Sequence, residues 1–273
     1  MAAPLAAQTI AGGEGHTVIV KPDRTVWTFG ANNNGQLGDS TTTSRKTPIP
    51  VDGLGDVVAV AAGLGHTMAL TSGGLVWAWG ENVFGQLGDA SATNRRTPVL
   101  VGINSVVAIA AGEHHSVALR ANGEVYTWGR NTNGQLGIGT TAHSSIPMQV
   151  AFDATHVGAG ASHTLITKTD GTVWATGANG NGQLGIGSTT QQLSPAQMAG
   201  IGNASRAVGG DRHSVILLSD GTLKATGANG SGQIGDGTSS QRSTAVAVTD
   251  VANVGALAAG ANHTIALKTD GTV

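Results

Sequence analysis

Short apolar runs alternate with polar, glycine-containing breaks along the chain. Residues 56–104 show the pattern clearly, with four successive runs: VVAVAA, HTMAL, LVWAW and TPVLV. Runs of this length, rich in Val, Thr and aromatic residues and bounded by glycine, predict β-strands. We therefore predict four short antiparallel strands within this segment.

The break between the second and third runs predicts a tight hairpin. It contains Gly73-Gly74, and similar pairs stand at the equivalent positions: Asn122-Gly123, Asp170-Gly171, Asp220-Gly221 and Asp270-Gly271. Such pairs are typical of type I′ turns, in which both central residues have positive φ. Asp23-Arg24 departs from the pattern, so a different turn is expected there.

The four-run pattern repeats along the chain. Each repeat carries one histidine in the phrase Gly-x-x-His: His16, His66, His115, His163, His213 and His263. Each of the first five histidines is followed 19 residues later by a Gly-Gln pair. The distance from that Gly-Gln pair to the next repeated histidine varies from 29 to 31 residues. Units that begin ten residues before each histidine follow a short tail, 1–5, and span 6–55, 56–104, 105–152, 153–202, 203–252 and, partially, 253–273.

One four-stranded sheet cannot bury both of its faces, so neighbouring repeats must pack on each other. Radially arranged sheets of this period form a β-propeller, whereas a β-helix needs a much shorter period. We predict a single all-β propeller domain over 6–273, with five complete blades and a partial sixth. The first strand of each repeat is rich in Val, Ala and Gly, which suits the crowded innermost position.

Two further features predict how the blades pack and turn. Large residues lie two apart in the third strand, as in Trp77 and Trp79, and we expect each pair to pack on the next blade. The recurring Asn-x-x-Gly-Gln-Leu-Gly is expected to turn the corner into the outer strand. There Asn32 would bond to the backbone, Gln36 would satisfy unpaired backbone groups, and Leu37 would enter the apolar layer.

Composition and charge exclude several functional classes. Fourteen Lys and Arg stand against 16 Asp and Glu, a net charge of −2, so nucleic acid is not an expected partner. Cysteine is absent, and no apolar stretch approaches the ~20 residues of a membrane span. The opening MAAPLAAQ is similar to the end of a secretory signal but lacks its basic start and apolar region. We therefore interpret it as an ordinary flexible N-terminus, and the remnant of a secretory signal is the alternative. For the compartment, we favour an extracellular or cell-surface location over the cytoplasm.

Together, Gly-x-x-His-Thr-x-Ala-Leu, Val-Trp-x-Trp-Gly and Asn-x-x-Gly-Gln-Leu-Gly strongly resemble the RCC1 (regulator of chromosome condensation) repeat family. The resemblance covers residues 6–273 and implies a β-propeller, typically of seven blades. It therefore implies a truncated or incompletely closed ring. Members serve as guanine-nucleotide exchange factors, light receptors, enzyme inhibitors or interaction scaffolds. Ala61-Ala62-Gly63 replaces the Ala-Cys-Gly frequent in eukaryotic members, which favours a bacterial relative.

Departures from the family's best-known members narrow these functions. The light receptor has tryptophan just before its repeated histidines, where this chain has Glu14-Gly15 and Leu64-Gly65. The exchange factor has an inserted β-wedge, and this chain has no comparable insertion. A non-catalytic, monomeric protein-binding propeller is therefore favoured. A GTPase exchange factor and a secreted enzyme inhibitor are the alternatives.

The repeated residues predict neither an enzyme nor a cofactor. Equivalent histidines on separate blades lie too far apart to share a metal ion, so we expect each to bond to neighbouring strands or loops. Because Ser, His and Asp occur in every repeat, they form no unique catalytic group.

Candidate binding residues are those that break the repeat. The basic pairs Arg45-Lys46 and Arg95-Arg96 precede Thr-Pro in two repeats, and a rim of this charge would attract an acidic protein partner. Solvated loop charges without a partner are the alternative interpretation. The second set occupies the two positions before each repeated histidine, where the residue differs from one repeat to the next. Its members are Glu14, Glu113, His114, Asp211 and Arg212.

Overall fold

The computed structural model describes residues 9–273, so the predicted tail at 1–5 lies outside the described residues. Blade 1 contains β1 (Ile10–Gly12), β2 (His16–Val20), β3 (Val26–Gly30) and β4 (Arg45–Pro50). Blade 2 contains β5 (Val57–Ala62), β6 (His66–Thr71), β7 (Val76–Gly80) and β8 (Arg95–Leu100). Blade 3 contains β9 (Val106–Ala111), β10 (His115–Arg120), β11 (Val125–Gly129) and β12 (Ser144–Ala151).

The later blades follow the same order of elements. Blade 4 contains β13 (Ala154–Ala159), β14 (His163–Lys168), β15 (Val173–Gly177) and β16 (Gln192–Gln197). Blade 5 contains β17 (Ala204–Gly209), β18 (His213–Leu218), β19 (Leu223–Gly227) and β20 (Arg242–Ala247). Blade 6 contains β21 (Val254–Ala259) and β22 (Thr264–Lys268). The described residues include no helix long and apolar enough to span a bilayer.

Each blade is an antiparallel meander with its strands in chain order. In blade 2, His66 pairs with Gly80 and Leu70 with Val76 across the central hairpin. A bulge interrupts the pairing of β5 with β6 between Val57 and Ala59. The predicted all-β architecture of five complete four-stranded repeats and a partial sixth is confirmed.

The hairpin turns correct the sequence prediction. Gly74 has a φ of 77°, but Gly73 is not among the residues with positive φ. Gly74 N–H donates to Thr71 O and Thr71 N–H to Leu75 O, which is a three-residue loop ending in a left-handed residue rather than a type I′ turn. The turn at Arg24, with a φ of 65°, has the same two backbone bonds, so the expected difference there is wrong.

The chain divides into two compact units, each with its own packed core. Unit 1 extends from the first described residue to Arg130 and includes Ala142–Gln149, and unit 2 comprises Asn131–Thr141 and Val150–Val273. In unit 1, Val18 and Val26 of blade 1 cluster with Val57 and Trp79 of blade 2. The same arrangement joins blades 2 and 3 around Trp128.

The large third-strand residues pack on the preceding blade, so the predicted direction toward the next blade is wrong. Trp79 is fully buried, and its Nε1–H donates to the carbonyl oxygen of Gln36 in blade 1 at 2.9 Å. A Cβ added to Gly38 would contact the Trp79 indole. In blades 4 and 5 a threonine occupies the position equivalent to Trp79. The hydroxyls of Thr176 and Thr226 donate to carbonyl oxygens in the corner loop of the preceding blade.

The corner loop is organised around a buried asparagine, as predicted. Asn82 accepts a bond from Leu87 N–H at 2.9 Å and donates to Asp89 and to Thr93 O at 3.0 and 3.1 Å. Gln86 Oε1 accepts from Phe84 N–H, and Leu87 is fully buried. These contacts fix the loop without regular secondary structure.

We expect amide exchange to be faster in β22 than in β18, its equivalent in blade 5. Ile265 and Leu267 are 44% and 41% exposed, whereas Val215 and Leu217 are 0% and 7% exposed. β22 pairs only with β21 among the described strands. Exchange at Ile265 and Leu267 should therefore exceed that at Val215 and Leu217 by about 100-fold or more. Equal protection measured by mass spectrometry or NMR would contradict this expectation.

Candidate interaction surface

The repeated histidines form latches between neighbouring blades. His66 Nε2 lies 3.1 Å from Ser116 Oγ of blade 3. Ser116 Oγ donates to the carbonyl oxygen of Gln86 at 2.8 Å, so its oxygen accepts the His66 Nε2–H. Trp128 Nε1–H donates to the same Gln86 oxygen at 2.9 Å. We call this His–hydroxyl–carbonyl chain the interblade latch.

The latch recurs within each unit. His16, Thr67 and Gln36 form it between blades 1 and 2, and His163, Ser214 and Gln183 form it between blades 4 and 5. His213, Thr264 and Gln233 form it between blades 5 and 6. Gly63 leaves no room for a side chain, because an added Cβ would overlap the His66 ring and the Gly112 carbonyl. The predicted structural role of the histidines is confirmed at these positions.

Burial keeps His16, His66 and His213 neutral. It lowers the pKa of His66 to about 3 and the pKa values of His16 and His213 to about 4. Between residues 9 and 273, no group of three or more His, Asp or Glu side chains is placed to hold a metal ion. The buried histidines His16, His66 and His213 thus contribute to packing between blades.

Half of the predicted basic rim is committed to internal ion pairs. Arg45 contacts Asp39 at 2.6 Å, and Arg95 contacts Asp89 at 2.7 Å. Burial works to raise the pKa of Asp39, but hydrogen bonds from Thr41 and Arg45 outweigh it, so the pKa lies below its ordinary value. Arg242 and Asp236 form the same pair in blade 5. These arginines therefore fasten the corner loop to the outer strand.

The spacing of aspartate and arginine in the sequence indicates this pair. Arginine occurs six residues after aspartate in blades 1, 2 and 5. Blades 3 and 4 instead have isoleucine at the aspartate position, Ile138 and Ile186, and Ser144 and Gln192 at the arginine position. The two positions change together within one chain. Lys46 and Arg96, which belong to no such pair, are exposed.

The residues before the histidines are accessible to different degrees. Glu14 and Arg212 are exposed, whereas Glu113, His114 and Asp211 are half-buried. Glu14, Glu113 and His114 belong to unit 1, and Asp211 and Arg212 to unit 2. His114 Nδ1 lies 3.0 Å from Glu81 Oε2, which anchors its ring beside the corner loop of blade 2.

A cluster that does not repeat surrounds Phe84 on that corner loop. The Phe84 ring meets the rings of His114 and His143 edge-on, with centroids 5.2 and 5.1 Å apart. The Arg130 guanidinium lies 5.3 Å from the Phe84 centroid. Asn34, Asn133, Asn181 and Ser231 occupy the Phe84 position in the other corner loops. We define the Phe84 patch as Glu81, Val83, Phe84, His114, Arg130 and His143.

In unit 1 the loop before His66 contacts corner-loop residues close to members of both predicted sets. A Cβ added to Gly65 would contact both Asn34 and Glu81, so the loop before His66 adjoins the corner loop of blade 1. Asn94 in turn donates to Asn34 Oδ1 at 3.3 Å, two residues before Arg96. The loop before His66 and the corner loop of blade 1 therefore connect Glu81 of the Phe84 patch to Asn94, near Arg96.

The Phe84 patch contains residue types that are common in protein-binding surfaces. It combines an aromatic ring and an arginine, which are residue types enriched where proteins bind each other. Val83, 53% exposed, adds apolar area beside the ring. Sequence reasoning identified His114 but missed Phe84, whose signal is a single aromatic residue in a position otherwise held by Asn or Ser.

Comparisons with known proteins agree with this architecture. A family model described as RCC1-like domain matches residues 2–273. The structure of human WBSCR16 superposes with a TM-score of 0.86 at 23% identity, over 95% of this chain and 71% of that one. Prp20p from Saccharomyces cerevisiae gives a TM-score of 0.77 at 19% identity, over 94% and 81%. Yeast RCC1 (Prp20) bound to Kap60 gives 0.76 at 19% identity, over 94% and 79%. No curated protein matches the chain in sequence.

Proposed function

The chain belongs to the RCC1-like domain family, and from this premise we propose that it is a non-catalytic module that binds a protein partner. Its fold is an RCC1-like β-propeller built of four-stranded antiparallel blades. The observation that carries the proposal is the Phe84 patch, because the repeated residues are occupied by latches, corners and blade packing. The patch is free of such a repeated role.

Structural neighbours support a protein as the partner. The yeast relative has been solved bound to Kap60, and its structure is described together with binding to Gsp1p and histones. Those partners belong to the yeast protein. For this chain they support the general mode of action, in which a propeller presents loop residues to another protein.

The partner is proposed to place an apolar side chain against Phe84 and acidic residues near Lys46 and Arg96. Buried aromatic and arginine contacts contribute most of the affinity in such interfaces. Exposed charges at the rim mainly raise the association rate. Because Arg45 and Arg95 are paired with aspartates, they contribute less to the rim than the sequence predicts.

Replacing Phe84 by asparagine is expected to weaken partner binding at least about tenfold while leaving the thermal midpoint nearly unchanged. An anchor residue contributes about 2 kcal/mol or more to binding, and asparagine already fits this position in three other corner loops. The measurement is capture of the partner from the native source, followed by surface plasmon resonance with the purified partner. Phe152→Asn, which changes a 59% exposed phenylalanine elsewhere, is the matched control.

Two outcomes of this experiment separate the alternatives. Loss of binding in the Phe152 variant but not in the Phe84 variant would contradict the proposed surface. A captured GTPase whose nucleotide release is accelerated would support the exchange-factor alternative.

The double substitution Lys46→Ser and Arg96→Ser should slow association with the partner and reduce the salt dependence of the association rate. Bacterial origin and extracellular location stay predictions from the sequence.

A further inference from the structure

Two cationic residues break the repeat in the innermost strands of unit 2. His156 is the third residue of β13, and Arg206 is the third residue of β17. Alanine holds this position in the other blades whose first strand has the same length: Ala59, Ala108 and Ala256. Small side chains are thus the rule here, and two adjacent blades depart from it together.

The two residues are neighbours across the junction of blades 4 and 5. β13 packs closely on β17, because a Cβ added to Gly158 would overlap the carbonyl oxygen of Ala207. His156 lies two residues before Gly158, so both face β17. Burial lowers the pKa of His156, and the charge of Arg206 lowers it further. Arg206 holds the equivalent position in β17, so the two side chains project from the same level of adjacent innermost strands.

No acidic group compensates this pair within residues 9–273. Arg206 forms no ion pair or hydrogen bond with a described residue, unlike Arg45, Arg95 and Arg242. The Nδ1 atom of His156 is buried and lacks a hydrogen-bond partner among those residues. The nearby hydroxyls are already committed, since Thr155 donates to Thr167 O and Ser205 to Leu217 O.

A half-buried guanidinium without a counter-charge has lost part of its hydration without gaining an ionic partner. Burial accordingly lowers the pKa of Arg206. A bound oxyanion would restore charge-assisted hydrogen bonds, for which the planar guanidinium is well suited. The imidazole offers a second donor from the adjacent strand.

We propose that His156 and Arg206 form a binding site for an oxyanion group, a phosphate or a carboxylate, on the innermost strands of blades 4 and 5. The site is separate from the Phe84 patch, which belongs to unit 1. Its ligand class follows from the chemistry of the two donors. A phosphorylated ligand and a carboxylic acid share this chemistry.

The test is calorimetric titration of the whole chain with inorganic phosphate and, separately, with acetate, at ionic strength held constant by sodium chloride. At least one anion should bind wild-type protein with a Kd in the millimolar range or tighter. Arg206→Ala should weaken that binding about tenfold or more, since an alanine occupies the equivalent position in three blades. Tighter binding of phosphate would indicate a phosphorylated ligand, and tighter binding of acetate a carboxylic acid.

Two further variants serve as controls for the anion titration. Arg212→Ala changes an exposed arginine of the same blade and should leave anion binding unchanged. His156→Ala should weaken binding less than Arg206→Ala does. The proposal is overturned if neither anion binds wild-type protein, or if Arg206→Ala binds both as tightly as wild type. A well-folded Arg206 variant is verified by an unchanged circular dichroism spectrum.

Discussion

Replacing His66 by alanine is expected to lower the free energy of unfolding by about 3 kcal/mol or more. The ring is fully buried, and removal of a large buried side chain leaves a cavity that costs roughly 3–5 kcal/mol. The variant also loses the bond from His66 Nε2 to Ser116 Oγ, worth about 1 kcal/mol. Gly63 and Gly112 contact the ring closely, so the cavity has little means to collapse.

The measurement for His66→Ala is urea unfolding followed by tryptophan fluorescence. His263→Ala is the matched control, because His263 holds the equivalent place in blade 6 but is exposed. It should change the unfolding free energy by less than about 0.5 kcal/mol. If both variants lose the same stability, the latch does not contribute what its geometry indicates.

Stability is expected to fall by several kcal/mol as the pH is lowered from 7 to 4.5. The pKa values of His16 and His213 are lowered to about 4 and that of His66 to about 3 by burial. The unfolded chain, with histidine pKa values near 6.5, therefore binds more protons than the folded chain. The stability contribution is fully present above pH 6.5 and is lost progressively below it, by up to about 1.4 kcal/mol per histidine per pH unit.

This loss can be separated from the titration of the aspartates. Hydrogen bonds from Thr238 and Arg242 hold the pKa of Asp236 at about 2, so its contribution is lost only below its ordinary value near 3.8. Unfolding free energies measured by urea titration between pH 7 and 4.5 thus report the histidines. The slope of the unfolding free energy against pH gives the number of protons taken up on unfolding. In the His66→Ala variant this number should be smaller by up to one. A pH-independent stability over this interval would contradict the neutral, buried state of the latch histidines.

The fold was predictable because each local signal occurs several times. A single Gly-x-x-His phrase specifies little, but its fixed spacing of 19 residues to the next Gly-Gln pair indicates a rigid unit. Asn82 and Leu87 could be assigned to a corner because their equivalents recur in five repeats. Repetition also distinguished structural histidines from a catalytic or metal site.

Contacts between repeats were harder to predict, because the pattern within one strand does not specify which neighbour it faces. Trp77 and Trp79 were expected on the next blade, yet Trp79 packs on the corner loop of the preceding one. The turn at Arg24 was expected to differ, but the backbone bonds of the hairpin impose a left-handed residue there whether or not it is glycine.

The candidate site was the least predictable part of the molecule. Arg45 and Arg95 have the composition of a basic rim, and only the distance to Asp39 and Asp89 identifies them as internal partners. Phe84, His114 and His143 are far apart in sequence and meet only when blades 2 and 3 pack. No local pattern encodes such a cluster.

The most direct test of the proposed binding surface is amide hydrogen exchange of the protein with and without its captured partner. If repeated residues maintain the blades and non-repeated loop residues bind the partner, binding should slow exchange at 81–84, 113–114 and 130. Exchange around Phe152, in unit 2, should remain unchanged. Protection at Phe152 with none at the Phe84 patch would contradict the assignment of partner binding to this surface.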